Sequence, residues 1–483
     1  MRKLLVASLL ITTITQAQVI DVATASKAIT AAVLKEHLSV IASAEMQGRE
    51  TGTEGERKAA AYLVSQYKKF NLKPGFNGNY KLPFKLYKDE LGQSTLKING
   101  EPATLDQDYW IYSANVPAST LKTNAIIFVG NDFNDKSTVE VKGKILVATE
   151  NEENSIRKVM AAQKLGAAAM IIVAKSNTNT SNIASARPRL AAKSTSFPYF
   201  KVSKSFGSKL VGGSKAFSDQ EWADMPKGVY SSNIEWTVEQ QTKEIPSADV
   251  IAYLPAKEKT DEYLFITSHY DHEGIKNGVI YYGADDDGSG TASVVTIASA
   301  FANAAKHGFV PKRNIVFMNV SGEEKGLLGS KYYSEHPVFP LEKTTADLNI
   351  DMVGRIDPTY KGDSTNYVYV IGEEKISSDL QKITNKVNNE VSHLELDRKF
   401  NDPKDPNRFY YRSDHYNFAA KGVPVLFYFN GTHKDYHQPS DTIEKINFDL
   451  MEKRVRLIFN TAWEIAMRDE MLKRDMPLDM TGR

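Results

Sequence analysis

The residues able to do chemistry in this 483-residue chain are His269 and Asp271 in SHYDH, Asp286 in GADDDGSG, Glu323 and Glu324 in SGEEKG, Asp351 in NIDMVG and His437 in DYHQPSDT. Imidazoles and carboxylates gathered in one place repel and titrate abnormally unless cations sit among them. Zinc accepts both donor types and, in catalytic sites, keeps a position open for water. Two such ions, about 3.5 to 4 Å apart, need a shared carboxylate. Asp286, the middle of three consecutive aspartates, is the candidate for that bridge.

Each motif also has a plain structural reading. GADDDGSG fits a helix start with acidic caps. A calcium loop is excluded: with Gly288 as its invariant glycine, the twelfth position is Val294 and not glutamate. A histidine at a strand end commonly serves as a hydrogen-bonding residue, and a Glu-Glu pair commonly lies on a solvated surface. Against coincidence stands the placement of all these residues after apolar runs within one stretch of chain.

Those runs are DVIAYLP, EYLFITSHYDH, RNIVFMNVSGEE, ADLNIDMVGR and VPVLFYFNG, separated by helical patterns such as TASVVTIASAFANAA and closed by EKRVRLIFNTAWEIAMRDEM. The alternation predicts an α/β layered fold with a mainly parallel sheet, whose site lies at the carboxyl ends of the strands. Upstream, LKEHLSVIAS and ERKAAAYLVSQYKKFNLKP read as helices, with Ala60, Tyr62, Leu63 and Tyr67 roughly on one face. Between them and the acid-rich part, residues 112–238 change character: NAIIFVG, KGKILVATE and AAAMIIVAK are strand-like, SIRKVMAAQKLG is helical, and no cluster of histidine and acid appears. We read this block as a separate inserted domain.

Basic and acidic residues, 60 against 59, leave a formal charge of +1, which gives no footprint for a nucleic acid. The opening MRKLLVASLLITTITQAQ has a basic start, a short apolar run and small residues at Thr15 and Ala17. It predicts a cleavable signal peptide over 1–17 and a secreted or periplasmic product, since the run is too short to span a bilayer. With no cysteine in the chain, neither disulfides nor lipid attachment at cysteine is expected.

SHYDH, GADDDGSG, SGEEKGLLGS, NIDMVGR and YHQPSDT, in this order, resemble the M28 family of dizinc metallopeptidases. KGKILVATENEENSIRKVMAAQKLGAAAMIIVA resembles the protease-associated (PA) domain that many members carry, and EMQGRETGTEGERKAAAYL the segment preceding it. The resemblance implies an α/β/α sandwich of the phosphorylase/hydrolase-like kind with a mixed, mainly parallel sheet, catalytic over 18–111 and 239–483, plus a β-rich PA domain over 112–238. It implies two Zn2+ per chain: one on His269, Asp286 and Asp351, the other on Asp286, Glu324 and His437. Asp271 would orient the His269 imidazole, Glu323 would act as general base, and Tyr410 in DPNRFYYRSDHYNF would assist the oxyanion. Asp414 and His415 are expected outside the ligand set.

By analogy within the family, the expected activity is that of an aminopeptidase acting on peptides with a free N-terminus. An α-amine needs a carboxylate, for which Asp285 is a candidate; a carboxypeptidase needs arginine, for which Arg408 and Arg412 are candidates. A one-zinc glutaminyl cyclase and an inactive PA-domain binding protein are the competing readings. The M20 peptidases are set aside, because Asp351 to His437 leaves no room for their lid domain.

Overall fold

The computed structural model describes residues 20–111, 118–150, 155–176, 187–192, 197–258 and 260–478. The expected signal segment 1–17 and most of the polar run KSNTNTSNIASARP lie outside the described residues. Two compact units are present. One takes the chain up to Phe84 and again from Pro246 onward; the other is Lys85–Ile245. The second unit is wider than 112–238, because the long strand Lys81–Ile98 pairs with Glu101–Ala103 and with Gly228–Leu254.

In the first unit the sheet runs, in spatial order, Glu395–Asp397, Tyr367–Ile371, Val425–Phe429, Thr344–Ile350, Tyr263–His269, Asn314–Val320 and the end of Gly228–Leu254. Its centre is parallel: Tyr263–His269 pairs in parallel with Asn314–Val320 and with Thr344–Ile350, which pairs likewise with Val425–Phe429. Antiparallel partners flank it at Tyr367–Ile371 and at the 250–254 segment. The strands Asn314–Val320, Thr344–Ile350 and Val425–Phe429 are buried at every position. That is why they read as unbroken apolar runs: a parallel sheet is covered on both faces.

Alternation along the strands splits the core in two. Leu264, Ile266, Ile315, Phe317, Leu348 and Ile350 face the helices Ala31–Ile41, Glu54–Lys69, Gly288–Lys306 and Phe448–Met467. Phe265, Val316, Met318, Val425 and Phe427 face the other layer with Tyr333 and Phe418, from the helices Leu328–Glu335 and His415–Ala419. Of the four residues expected on one face of Glu54–Lys69, Ala60, Leu63 and Tyr67 are buried, and Tyr62 packs at the edge, partly buried.

The second unit has its own core. Ser119–Phe128, Ile145–Thr149, Ala169–Val173 and Tyr199–Val202 form a parallel run, and Trp236, Phe200 and Tyr109 pack together on one side of it.

One buried group of the first unit makes its stability depend on pH. His37 is 5 % exposed, and its Nδ1 lies 2.7 Å from the Tyr62 hydroxyl. Burial pushes its imidazole down from 6.5 to about 4, so the folded chain leaves it neutral and hydrogen-bonded to the Tyr62 hydroxyl. The unfolded chain protonates it first. The contribution is therefore complete above about pH 6.5 and is lost as pH falls toward 4, to a maximum of ~3 kcal/mol. The expected result is a smaller acid-side drop in urea stability for His37→Gln than for wild type, between neutral pH and about pH 4.5. Parallel curves for the two proteins would refute it.

Candidate metal centre

Parallel pairing brings the carboxyl ends of four strands to one edge. Tyr263–His269 ends on His269; Asn314–Val320 leads into Ser321–Glu324; Thr344–Ile350 delivers Asp351; and Val425–Phe429 feeds the loop that carries His437. Asp286 arrives from a fifth direction, just ahead of the helix Gly288–Lys306.

The side chains converge. His269 Nε2 lies 3.4 Å from Asp286 Oδ1 and 3.7 Å from Asp351 Oδ1. His437 Nε2 lies 2.9 Å from Asp286 Oδ2 and 3.1 Å from Glu324 Oε2. Asp286 thus stands between the two imidazoles with one oxygen toward each. Burial pushes Asp286 upward, but His269 and His437 outweigh it and hold the carboxyl well below the usual range. Burial and the charge of Asp286 act on Glu324 in the same way, and His272 and His437 bring it down to about 2. Burial lowers His437, yet Asp286 and Glu324 lift it to about 10.

The three adjacent aspartates point three ways. Asp287 caps the helix by accepting from Gly290 N at 2.9 Å, and it also accepts from His269 N and Met352 N, tying the cap to two strand ends. The acidic-cap reading holds at Asp287, while its neighbour Asp286 is the one that stands among the imidazoles. Asp285 is fully buried and already occupied by Gly354 N at 2.7 Å, Ser289 Oγ at 3.0 Å and His433 Nε2 at 3.1 Å. It is therefore not the spare acid that an incoming amine would meet, contrary to expectation.

Around this cluster a second layer sets orientation. Asp271 accepts from Thr51 Oγ1 at 2.8 Å and from Glu323 N at 3.2 Å. Its main-chain oxygen, 3.1 Å from His269 Nδ1, is nearer to that ring than its carboxylate at 3.8 Å. Nδ1 thereby points back to the main chain, and Nε2 faces Asp286 and Asp351. Ser413 Oγ donates to Asp351 Oδ2 at 2.6 Å. Gly48, at φ +68, lets the segment before Arg49 approach: a Cβ there would stand 2.5 Å from the carbonyl oxygens of Gly274 and Tyr281. Arg49 then reaches beneath the ligand loops with its guanidinium.

Glu323 and Glu324 diverge as adjacent loop residues can. Glu324 turns to the imidazoles, whereas Glu323 lines a cavity with Asp286, Asp351, Met352, Phe427 and Tyr436. Arg412 and Thr432 also line it; Arg408 does not, and packs over the Tyr411 ring. Tyr410 is buried, its hydroxyl lacks a hydrogen-bond partner, and it is absent from the cavity wall, where Tyr436 stands instead. The signal that would have found Tyr436 is its place immediately before His437. Asp414 accepts from Ser330, and His415 stacks on Phe427 at 4.7 Å.

The cluster fits a cation on an observation of its own. His269 Nε2, Asp286 Oδ2 and Glu324 Oε1 are buried and without hydrogen-bond partners. Such atoms are costly to bury unless something binds them. Imidazole nitrogen with carboxylate oxygen is the donor set of zinc or a similar ion.

Residues 249–462 match the sequence profile of peptidase family M28, and residues 113–210 match that of the PA domain. Aminopeptidase YwaD of Bacillus subtilis (strain 168) is 22 % identical over 444 residues, which cover 88 % of this chain and 83 % of that protein. A probable zinc metalloprotease of Pyrenophora tritici-repentis is 27 % identical over 315 residues, 56 % of this chain and 64 % of that protein. The fold is that of an aminopeptidase from Aneurinibacillus sp. strain AM-1, with a TM-score of 0.58 at 20 % identity over 95 % of this chain and 99 % of that one. It is also that of BSAP, a zinc aminopeptidase from Bacillus subtilis, with a TM-score of 0.51 at 19 % identity over 93 % and 98 %. No described helix is long and apolar enough to cross a membrane. Strand ends, acid cluster and profile coincide in one stretch of chain, which belongs to peptidase family M28, the metallopeptidases, and is accompanied by a PA domain at 113–210.

Proposed function

We propose that this protein is a secreted exopeptidase holding two zinc ions, which removes residues from the free N-terminus of peptides. The observation carrying the reading is the set of orphaned buried donors around Asp286, next to a cavity wall that Glu323 shares. His269, Asp286 and Asp351 would hold one ion, and Asp286, Glu324 and His437 the other. Bound there, zinc would lower the pKa of a water toward neutrality and polarise the scissile carbonyl. Glu323 takes the proton of the attacking water and returns it to the leaving amine. Asp271 holds the main chain of Glu323 in place and, through its carbonyl oxygen, the ring of His269. Tyr436, on the wall of the same cavity, is in place to donate to the substrate oxygen.

N-terminal recognition is supported by Glu273. One of its oxygens lies within 4.8 Å of donor atoms of Glu324 and His437, and it also pairs with Lys276. A carboxypeptidase is the second reading, because the Arg412 side chain lines the cavity and an arginine suits a terminal carboxylate. Mass spectrometry of digests of one peptide in free, N-acetylated and C-amidated forms decides between them. The expected result is stepwise loss from the N-terminus, abolished by acetylation and indifferent to amidation. The reverse pattern establishes the carboxypeptidase, and cleavage indifferent to both blocks discards an exopeptidase altogether.

A further inference from the structure

His272, three residues beyond His269, takes no part in the ligand set above, yet its ring is wholly buried beside that set. Nδ1 lies 2.8 Å from Glu324 Oε1 and 3.8 Å from Asp286 Oδ2. At 2.8 Å a hydrogen bond would be short and strong if aligned, but Nδ1 and Glu324 Oε1 both remain without a hydrogen-bond partner. Close approach without donor-to-acceptor alignment is how two atoms stand when both are aimed at a common third point. Asp286 Oδ2 is a third orphan of the same kind, and His272, Asp286 and Glu324 each offer one ligand atom within 4.8 Å of the others.

The ring is held in that attitude by packing. Gly283, at φ +55, lies under it, and a Cβ there would stand 2.5 Å from its Cγ and Cδ2. On the main chain, His272 N donates to Arg49 O at 3.2 Å. A neutral imidazole nitrogen is a good donor to the same ions as its neighbours.

We propose that His272 is a third imidazole donor of the metal centre, binding through Nδ1 at the position formed with Asp286 and Glu324. The inference rests on the metal-binding reading given above and adds a residue to it. It makes that position richer in nitrogen than the one at His269, so the two ions differ in ligand field and in retention.

The chain's lack of cysteine allows a direct test. In His272→Cys the introduced thiol is the only one present, so cobalt(II) bound at this position acquires a thiolate-to-metal charge-transfer band in the near ultraviolet. Wild type loaded with cobalt(II) has none. In parallel, zinc content is measured during titration with a chelator for wild type and His272→Phe, which fills the space without a donor. The expected results are the band in His272→Cys and loss of one ion from His272→Phe at chelator levels lower by at least ~100-fold, the upper end of the cost of losing an outer-sphere partner. Cobalt-loaded, folded His272→Cys without the band overturns direct coordination, even if His272→Phe fails to fold. Equal zinc retention in His272→Phe and wild type also overturns it. A wild-type chain that retains no zinc overturns the proposed function and this inference together.

Discussion

Glu323→Gln is expected to lower kcat by ~10²- to 10⁴-fold, the usual loss on removing a placed general base, while leaving KM and zinc content close to wild type. The reasoning is geometric. Glu323 shares the cavity wall with Asp286 and Asp351, and its Oε2 stands 3.9 Å from His269 Nε2, so the carboxylate borders the cluster without closing on it. Its main chain is fixed by Asp271, and its carbonyl accepts from Gly326 N and Leu327 N, which turns the loop sharply after the strand. Glutamine keeps the shape and the turn and removes only the ability to accept a proton. Glu324→Gln, next in sequence, is expected to behave differently: its side chain faces His272 and His437, so zinc is lost along with activity. Steady-state kinetics and metal analysis on both variants check this. A Glu323→Gln enzyme within about tenfold of wild type, or one that has lost its zinc, would remove Glu323 from the role of base.

How far the sequence reached follows from which forces leave a local trace. Burial on both faces of a parallel sheet makes continuous apolar runs, so the strands ending at His269, Val320 and Ile350 were legible, and with them the place of the site. The direction of individual side chains was not. Asp285, Asp286 and Asp287 are identical in type and adjacent, yet one pairs with His433, one stands between two imidazoles and one caps a helix. Only the packing of Met352, Gly354 and His433 around them decides this, and those residues come from distant parts of the chain. The same holds for the tyrosines: RFYYRSD has an attractive pair, but the loop turns Tyr410 inward toward His415, and Tyr436 faces the cavity. His272 leaves no trace in the sequence, because a second histidine three positions on carries no spacing signal in a loop. Its ring direction depends on Arg49 and Gly283.

Arg49→Met is expected to cost stability on the order of 4 to 6 kcal/mol. The guanidinium is fully buried and donates to four carbonyl oxygens: Tyr270 at 2.8 Å, Ile41 at 2.8 Å, Tyr282 at 2.8 Å and Gly283 at 3.0 Å. Those oxygens belong to a helix end and to the two loops that carry His272 and Asp286, so one side chain satisfies groups that water cannot reach. Methionine fits the stem and leaves the oxygens of Tyr270, Ile41 and Tyr282 without that donor, while Gly283 O keeps only Gly288 N. It also removes a cation from a region where Asp286, Asp287, Asp271 and Asp441 offset the burial penalty on the guanidinium. Arg49→Lys separates the two effects, since it restores the charge but cannot span four acceptors; it should recover a minority of the loss. Urea denaturation with saturating zinc, compared with the same curve after chelation, gives the decisive contrast. If the brace holds the ligand loops, the gap between wild type and Arg49→Met widens when zinc is present, because the wild type gains linkage energy that the disordered loops of the variant cannot collect. A loss of less than about 1 kcal/mol, or a gap unchanged by zinc, would mean that Arg49 fills space and does not align the centre.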